Sequence, residues 1–226
     1  MLLPVNDACL VLDFDGTILD TEESMYSSWV ELWNHHGHEL ALAVWQENIG
    51  TKDAFDPWAE LENRMGRPLD PTFRERRRIR RDELQAQHAA RPGVVAWLGE
   101  AERLGVPVGI ASSSPAEWVD GHLERLGLKR FVSCVVCADG VVPAKPDPTS
   151  YRLACERLGV DPRRSVAVED SPHGVAAAVT AGLFTVAVPH ALTADLDLSA
   201  ADLLAVSLEA LTLAETMAEA RQRATS

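Results

Sequence analysis

The segment LVLDFDGTILDTEES, Leu10–Ser24, joins an apolar run to two aspartates that are separated by one phenylalanine. Side chains two positions apart in an extended backbone point to the same side, so Asp13 and Asp15 are expected to lie together. Gly16 follows them and permits a tight turn. The segment therefore predicts a buried strand that ends in a pair of carboxylates, with an ordinary turn rich in Asp and Gly as the alternative.

Paired carboxylates of this kind suit phosphate chemistry. They repel each other unless a cation lies between them, and Mg²⁺ favours such a pair with a substrate phosphate completing its shell. One carboxylate can attack phosphorus to give an aspartyl-phosphate, and its neighbour can serve as general acid and base.

Further apolar runs follow along the chain, and helix-length segments separate them. The runs are VPVGIAS, FVSCVVC, SVAVED, GLFTVAV and ADLLAVS, and the segments lie near 93–104, 115–127, 148–159 and 172–181. Apolar strands that alternate with helices are typical of a parallel sheet covered on both faces. The sequence therefore predicts the α/β class, with a sheet that opens at residue 8 and resumes near residue 106.

The interval from about residue 20 to 90 has a helical character of its own. Trp29, Leu32 and Trp33 recur at helical spacing before Gly37, a typical residue for a helix end. DAFDPWAELENRMG and TFRERRRIRRDELQAQH predict further helices, and RERRRIRRDE in the second is expected to be a solvated face. Four of the six tryptophans fall in this interval: Trp29, Trp33, Trp45 and Trp58. We therefore predict a core over 1–19 and 89–226 and an inserted helical unit over 20–88.

The composition is that of an ordinary globular protein, with 46% hydrophobic and 24% charged residues in a chain of 226. No apolar run approaches the roughly 18 residues of a membrane span, and the N-terminus lacks the pattern of a secretory signal. The net charge of −13 disfavours nucleic acid and anionic membranes as partners. We expect a cytoplasmic monomer whose partner is a small molecule.

Cys134 and Cys137 form a C-x-x-C pattern within a predicted strand. Residues three apart in a strand point to opposite faces, whereas a zinc or redox pair needs both sulfurs on one side. We therefore interpret these cysteines as small buried residues.

Polar residues follow the second predicted strand, in the run VGIASSSPAEW. Ser114 to Glu117 matches a capping box with Pro115 at the first helical position, so a helix is predicted to start there. Ser112 and Ser113 lie just before that start, where a hydroxyl and backbone N–H groups can cradle a phosphate. A serine-rich cap with a purely structural role is the alternative.

Two more polar groups follow later predicted elements. Lys145 stands between prolines in VVPAKPDPTS, and a compact ammonium suits a phosphoryl oxygen and a carboxylate at once. Glu169 and Asp170 end the run SVAVED, where adjacent acids point to opposite faces, so that one can reach a metal while the other braces the site. Ser171 is a predicted N-cap with Pro172 as the first helical residue. Because ligands collect at the carboxyl ends of parallel strands, these groups are expected to meet.

These motifs together resemble those of the haloacid dehalogenase (HAD) superfamily of aspartate-based phosphohydrolases. The match consists of D-x-D-G-T at Asp13–Thr17, the strand-end Ser112, the K-P-D-P lysine Lys145 and E-D-S at Glu169–Ser171. The helical insertion resembles the cap of the β-phosphoglucomutase-like subgroup. The resemblance implies a Rossmann-like core with a mobile cap over the site.

The resemblance also implies a role for each acid. Asp13 would be the nucleophile and a Mg²⁺ ligand. Asp15 would be the general acid and base and would bind the metal through its backbone carbonyl. Asp170 would complete the metal site, with Glu169 close behind. The dehalogenases of the superfamily lack the second aspartate, so Asp15 argues against dehalogenation.

The remaining motif residues would handle the phosphoryl group and the substrate. Ser112, Ser113 and Lys145 would hold the phosphoryl group that the nucleophile attacks, and Lys145 would share in catalysis. Water would then hydrolyse the aspartyl-phosphate. Thr21 and Lys52 are the candidate substrate contacts on the cap side.

Two departures from the subgroup bear on the reaction. A histidine lies twelve residues after the nucleophile in its mutases and in many of its phosphatases, whereas this chain has Met25 there. The mutases also use a cap arginine in a loop resembling NIGTKDAF, where this chain offers Lys52. We therefore predict a Mg²⁺-dependent phosphatase of a small phosphorylated metabolite, such as a sugar or polyol phosphate. The alternatives are a phosphosugar mutase, a phosphonoacetaldehyde hydrolase and a binding protein on an inactive core.

Overall fold

The chain forms a parallel sheet with helices packed on it. The computed structural model describes residues 7–47, 49 and 55–225. The strands of this described part are β1 (Leu10–Leu12), β2 (Val108–Ser112), β3 (Cys134–Cys137), β4 (Val166–Glu169), β5 (Phe184–Ala187) and β6 (Leu203–Leu204). All of their pairings are parallel, in the order β3-β2-β1-β4-β5-β6. The predicted α/β class is confirmed.

Strand β1 lies at the centre of the sheet. Leu10 pairs with Val108 of β2 on one side and with Val166 of β4 on the other. Because the strands are parallel, the residues that follow β1, β2 and β4 emerge at the same edge. The chain thus brings the aspartates of the first segment next to Ser112 and Glu169, the last residues of β2 and β4.

Helices cover both faces of the sheet, and β1 shows why its sequence is continuously apolar. Leu10 and Leu12 belong to one hydrophobic cluster, and Cys9 and Val11 belong to another. Helices α5 (Val94–Leu104), α6 (Ala116–Arg125) and α9 (Leu213–Thr225) pack into the first cluster. Helices α7 (Thr149–Leu158) and α8 (Pro172–Ala181) pack into the second. In the described part of the chain, no helix is long and apolar enough to cross a membrane.

The described residues between β1 and α5 form four helices: α1 (Thr21–His35), α2 (Leu42–Gln46), α3 (Pro57–Met65) and α4 (Thr72–Gln85). They share a hydrophobic cluster that contains the four tryptophans of this interval. The short helix α2 is absent from the sequence prediction, since five residues are too few to show a helical period. The domain boundaries at 19/20 and 88/89 stay a prediction.

The predicted capping box before α6 is wrong. The helix begins at Ala116, and Pro115 occupies the N-cap position with extended backbone angles and no side-chain cap hydrogen bond. The backbone N–H of Ser114 instead donates to Ser112 Oγ at 2.9 Å, so the hydroxyl of Ser112 stabilises the turn before the helix. By contrast, Ser171 Oγ accepts from Gly174 N at 3.2 Å, and α8 begins at Pro172 as predicted.

The prediction that the arginine-rich segment is a solvated face holds for only part of α4. Arg78 and Arg80 are exposed and pair with acids. Arg77 instead donates to Ser28 Oγ at 3.1 Å, and its guanidinium lies 4.3 Å from the centre of the Trp29 ring. Burial lowers the pKa of Arg77 to about 10. One face of α4 therefore packs its arginine stems and guanidinium planes against aromatic rings.

The cysteines agree with a structural role. Cys137 belongs to the cluster under α5 and α6, while Cys134 packs against the cluster under α7, so the two sulfurs lie on opposite faces of the sheet. No disulfide joins the four cysteines, all of which lie in the described part.

Candidate active site

Asp13, the first residue after β1, is buried among the ends of the central strands. Its backbone N–H donates to Val168 O at 3.0 Å, and its Oδ1 accepts a hydrogen bond from Lys145 Nζ. Lys145 is 2% exposed and also donates to Glu169 Oε1 at 2.6 Å. A single buried ammonium thus bridges two buried carboxylates. Although burial opposes its charge, the carboxylates of Asp13 and Glu169 raise the pKa of Lys145 above its usual value.

Three carboxylates meet at this point. One oxygen each of Asp13, Glu169 and Asp170 lies within 4.8 Å of the others. Burial raises the pKa of Asp13 well above its usual value; Lys145 opposes the shift, and Glu169 and Asp170 add to it. Burial also raises the pKa of Glu169. Among the described residues, three carboxylates thus meet around Lys145, and burial and mutual repulsion disfavour their ionised forms.

The donor set fits a divalent cation. Asp13 Oδ2 is buried and accepts no hydrogen bond from the residues that the structure describes. A buried carboxylate oxygen without a partner costs free energy. Hard cations such as Mg²⁺ take one or two carboxylates and substrate phosphate as ligands. A cation between Asp13 and Asp170 would satisfy that oxygen and offset the repulsion.

The loop after β1 approaches Asp170 closely. Gly16 has φ +85°, and a Cβ on it would lie 2.4 Å from Asp170 Oδ2, so only glycine fits here. Thr17 Oγ1 donates to Asp170 Oδ1 at 3.0 Å, and His190 Nε2 lies 3.1 Å from Asp170 Oδ2. These contacts orient the carboxylate of Asp170 towards the cluster.

The expectation that Glu169 and Asp170 point to opposite faces is wrong. Both lie in the carboxylate cluster, because β4 ends at Glu169 and the pleat no longer governs Asp170 beyond it. Both carboxylate oxygens of Glu169 already accept hydrogen bonds. Its Oε1 accepts from Lys145 and from the Tyr151 hydroxyl at 2.6 Å, and its Oε2 accepts from the Asp170 N–H at 3.2 Å. Glu169 therefore braces Lys145.

Asp15 has a separate set of partners. Its Oδ1 accepts from Thr21 Oγ1 at 2.8 Å and from Trp118 Nε1 at 2.8 Å. Its Oδ2 accepts from Ser112 Oγ at 3.3 Å. Thr21 is 2% exposed, so the structure places it against Asp15.

The two predicted phosphate serines lie beside the cluster. Ser112 is buried and contacts Asp15 as described. Ser113 Oγ accepts from the backbone N–H of Lys145 at 3.2 Å, which ties the loop after β2 to the loop that carries the lysine. Lys52, the candidate substrate contact, lies outside the described residues.

A cavity of about 250 Å³ opens beside Asp15, between the helical insertion and the core. It is lined by Asp15, Thr21, Glu22, Met25, Arg81, Ser114, Pro115 and Trp118. Burial, together with the nearby carboxylates of Asp15 and Asp170, raises the pKa of Glu22 to about 8. The site thus has a chamber beside Asp15 in which the charged groups of Arg81 and Glu22 stand among the less polar side chains of Met25 and Trp118.

Several of these contacting residues are absent from the sequence prediction. Trp118 and Tyr151 follow the motifs at Ser112 and Lys145 but belong to neither of them. Glu22 looks like an ordinary acid in a first helical turn. Arg91 is another. It donates to Gly16 O, to Val188 O at 3.0 Å and to Pro189 O at 2.9 Å, which joins the loop after β1 to the loop after β5. The only sequence signal for Arg91 is its place at the return from the insertion.

A family model described as haloacid dehalogenase-like hydrolase matches residues 8–182. "Putative phosphatase YhcW" of Bacillus subtilis is 42% identical over 83% of this chain and 86% of its own length. "Fructose-1-phosphate phosphatase YqaB" of Escherichia coli is 30% identical over 78% of this chain and 93% of its own length.

Solved structures share the fold. CbbY from Rhodobacter sphaeroides, solved in complex with phosphate, has a TM-score of 0.74 and 28% identity over 91% of this chain and 97% of its own. The β-phosphoglucomutase of Clostridium difficile has a TM-score of 0.72 and 18% identity over 96% of this chain and 99% of its own. Both structures therefore share the fold of this chain. The chain belongs to the haloacid dehalogenase-like hydrolase family, and the predicted class, a phosphatase of that family, is confirmed.

Proposed function

We propose that this chain is a Mg²⁺-dependent phosphomonoesterase that hydrolyses a small phosphorylated metabolite, such as a sugar or polyol phosphate. The observation that carries the proposal is the buried cluster of Asp13, Glu169 and Asp170 beside Lys145. Asp13 Oδ2 has no hydrogen-bond partner in the described part of the chain. Mg²⁺ would be held by Asp13, Asp170 and the backbone carbonyl of Asp15, and it would supply positive charge to the nucleophile and the phosphoryl group.

The first step forms an ester on the protein. A carboxylate oxygen of Asp13 attacks phosphorus, the bond from phosphorus to the leaving oxygen breaks, and Asp15 gives a proton to that oxygen. Lys145 lies against Asp13 and offsets negative charge as the phosphoryl group arrives. Ser112 at the end of β2 and Ser113 in the loop after it complete the phosphate pocket.

The second step releases phosphate. Asp15, now ionised, takes a proton from water, and the water oxygen attacks the phosphorus of the aspartyl-phosphate. Phosphate leaves and Asp13 is regenerated as a carboxylate. Asp15 therefore returns to its protonated form after each turnover, so one side chain serves both steps.

The chamber beside Asp15 supports a polyhydroxylated leaving group. Arg81 offers donors, Glu22 offers acceptors and Trp118 offers an aromatic face. These are the groups that fix the orientation of a polar ligand. The relative named for fructose-1-phosphate supports a sugar phosphate in the same way. A monomeric state and a cytoplasmic location stay predictions.

The mutase alternative has less support. The likeness to β-phosphoglucomutase is at 18% identity and concerns the fold. Met25, at the position of the subgroup histidine, lines the chamber, and its Sδ accepts from Arg77 at 3.4 Å. A thioether holds no exchangeable proton, so Met25 cannot stand in for an imidazole. The phosphonoacetaldehyde hydrolase alternative depends on Lys52, which lies outside the described residues.

A screen of phosphorylated metabolites with Mg²⁺ or with EDTA tests the proposal, with released phosphate as the readout. We expect turnover only with Mg²⁺, and we expect Asp13→Asn to lower kcat by about 10⁴-fold or more. Asp195→Asn, on the exposed surface, is the matched control and should keep wild-type turnover. Substantial turnover by Asp13→Asn would contradict the nucleophile, and retention of phosphate in a rearranged sugar ester, seen by ³¹P NMR, would favour the mutase.

A further inference from the structure

Trp118 makes a direct hydrogen bond to the acid–base residue. It lies in the first turn of α6, and its indole Nε1 donates to Asp15 Oδ1 at 2.8 Å. Thr21 Oγ1 donates to the same oxygen at 2.8 Å, and Ser112 Oγ donates to the other at 3.3 Å. The carboxylate of Asp15 is therefore fixed by three donors from three separate segments of the chain.

The indole ring is itself held from two sides. The guanidinium of Arg81, on α4 of the helical insertion, lies 4.9 Å from the ring centre. The ring of His122, one turn further along α6, meets it edge-on at 4.4 Å. The Arg81 side chain is 17% exposed and, like Trp118, lines the chamber beside Asp15. Trp118 thus links the insertion, the core helix and Asp15.

We propose that Trp118 is a positioning residue for the proton transfer that Asp15 performs. The proposal rests on the proposed function, in which Asp15 protonates the leaving oxygen. The indole N–H is a donor only, and its 2.8 Å hydrogen bond fixes the orientation of the Asp15 carboxylate that exchanges the proton. Trp118 and Asp15 both line the chamber where the leaving group would lie. Trp118 itself exchanges no proton.

This role predicts that the effect of Trp118 on kcat depends on the basicity of the leaving group. A basic leaving oxygen needs the proton from Asp15, whereas a weakly basic one departs with little help. A residue that only stabilises the fold affects both kinds of substrate equally. A residue that only binds the substrate changes KM.

The experiment compares Trp118→Phe with wild type on phenyl phosphate and on p-nitrophenyl phosphate, two esters of similar shape whose leaving groups differ in basicity. We expect kcat on phenyl phosphate to fall by roughly 10- to 100-fold, the usual effect of losing a hydrogen bond to a charged group. We expect a much smaller loss on p-nitrophenyl phosphate and KM within about two-fold for both.

Trp97→Phe is the matched control. The Trp97 indole is buried and donates to Leu208 O at 3.1 Å and to Leu211 O at 3.2 Å, inside the core. Its loss should lower stability without changing the ratio of kcat between the two esters. In an Asp15→Asn background, Trp118→Phe should cause no further loss on phenyl phosphate, because the proton transfer is already absent.

The outcomes separate this role from the proposed function. An equal loss of kcat on both esters, or a rise in KM alone, would overturn the positioning role while the phosphatase stands. If the wild-type protein hydrolyses neither ester nor any metabolite with Mg²⁺, the proposed function fails and the role of Trp118 fails with it.

Discussion

The pKa of Glu22 reflects the electrostatics of the whole site. Glu22 lines the chamber beside Asp15, and burial is the main cause that raises its pKa from 4.5 to about 8. The carboxylates of Asp15 and Asp170 add to the rise. At neutral pH, Glu22 therefore holds a proton in the folded state that it loses in the unfolded state.

A pH dependence of stability follows for Glu22. Between pH 4.5 and about 8 the folded state binds the proton and the unfolded state does not, so stability falls as pH rises through this window and levels off above it. We expect Glu22→Gln to raise the melting temperature relative to wild type more at pH 8.5 than at pH 5. The gain in unfolding free energy should be larger at pH 8.5 by about 1–3 kcal/mol.

The measurement is a thermal melt in EDTA, so that no divalent cation adds charge. Glu23→Gln is the matched control, since Glu23 is the exposed neighbour on the same helix turn and should show no such difference. An equal effect of Glu22→Gln at both pH values would contradict the raised pKa.

At the scale of the elements, the N-terminus of α8 packs directly on Glu169. A Cβ on Gly174 would lie 2.0 Å from the Glu169 carboxyl group, and the N–H of Gly174 is used by the Ser171 cap. Helix α8 thus approaches β4 at a distance that only glycine permits. The acid that braces Lys145 depends on this approach.

Gly174→Ala should therefore push Glu169 away from Lys145. We expect a loss of about 1–3 kcal/mol in the free energy of unfolding, as for other overpacked sites, and a lower kcat. Gly99→Ala is the matched control, because Gly99 lies within α5 and a Cβ on it would meet no atom within 4 Å. That change should stabilise the protein by about 0.5–1 kcal/mol through helix propensity. Urea unfolding measures both, and a neutral Gly174→Ala would contradict the tight packing.

At the scale of the whole molecule, the site depends on segments that lie far apart in the chain. Asp13, Lys145 and Asp170 come from three different connections, and the sheet order brings them to one edge. A ligand that binds only this assembled arrangement stabilises the folded state by mass action. The carboxylate cluster predicts that Mg²⁺ is such a ligand.

Mg²⁺ should raise the melting temperature of the wild-type protein. At about 100 times its Kd, the linkage is worth about 2.7 kcal/mol, or roughly 5–10 °C for a chain of this size. Asp170→Asn should remove most of the shift, whereas the exposed Asp195→Asn should keep it. Comparison with and without Mg²⁺ within each variant cancels the effect of the substitution on the metal-free protein. An unchanged shift in Asp170→Asn would exclude it as a ligand.

The sequence by itself determined the class of fold and the family. Strand and helix periods, the tryptophans of the insertion and the motifs at Asp13, Ser112, Lys145 and Glu169 are local patterns, and parallel strands bring their carboxyl ends to one edge. Opposite faces for Cys134 and Cys137 also followed from the period of a strand alone. These features can be predicted from residues that are close together in the sequence.

Only the tertiary structure decided how the site is held. The Trp118 indole meets Asp15 across 103 positions of sequence, and Glu169 and Asp170 converge because the regular strand stops between them. The inward face of α4 and the absent capping box at Ser114 depend likewise on what each side chain meets. Such contacts join segments distant in sequence, and their geometry is set by packing, which no local period of a single chain encodes.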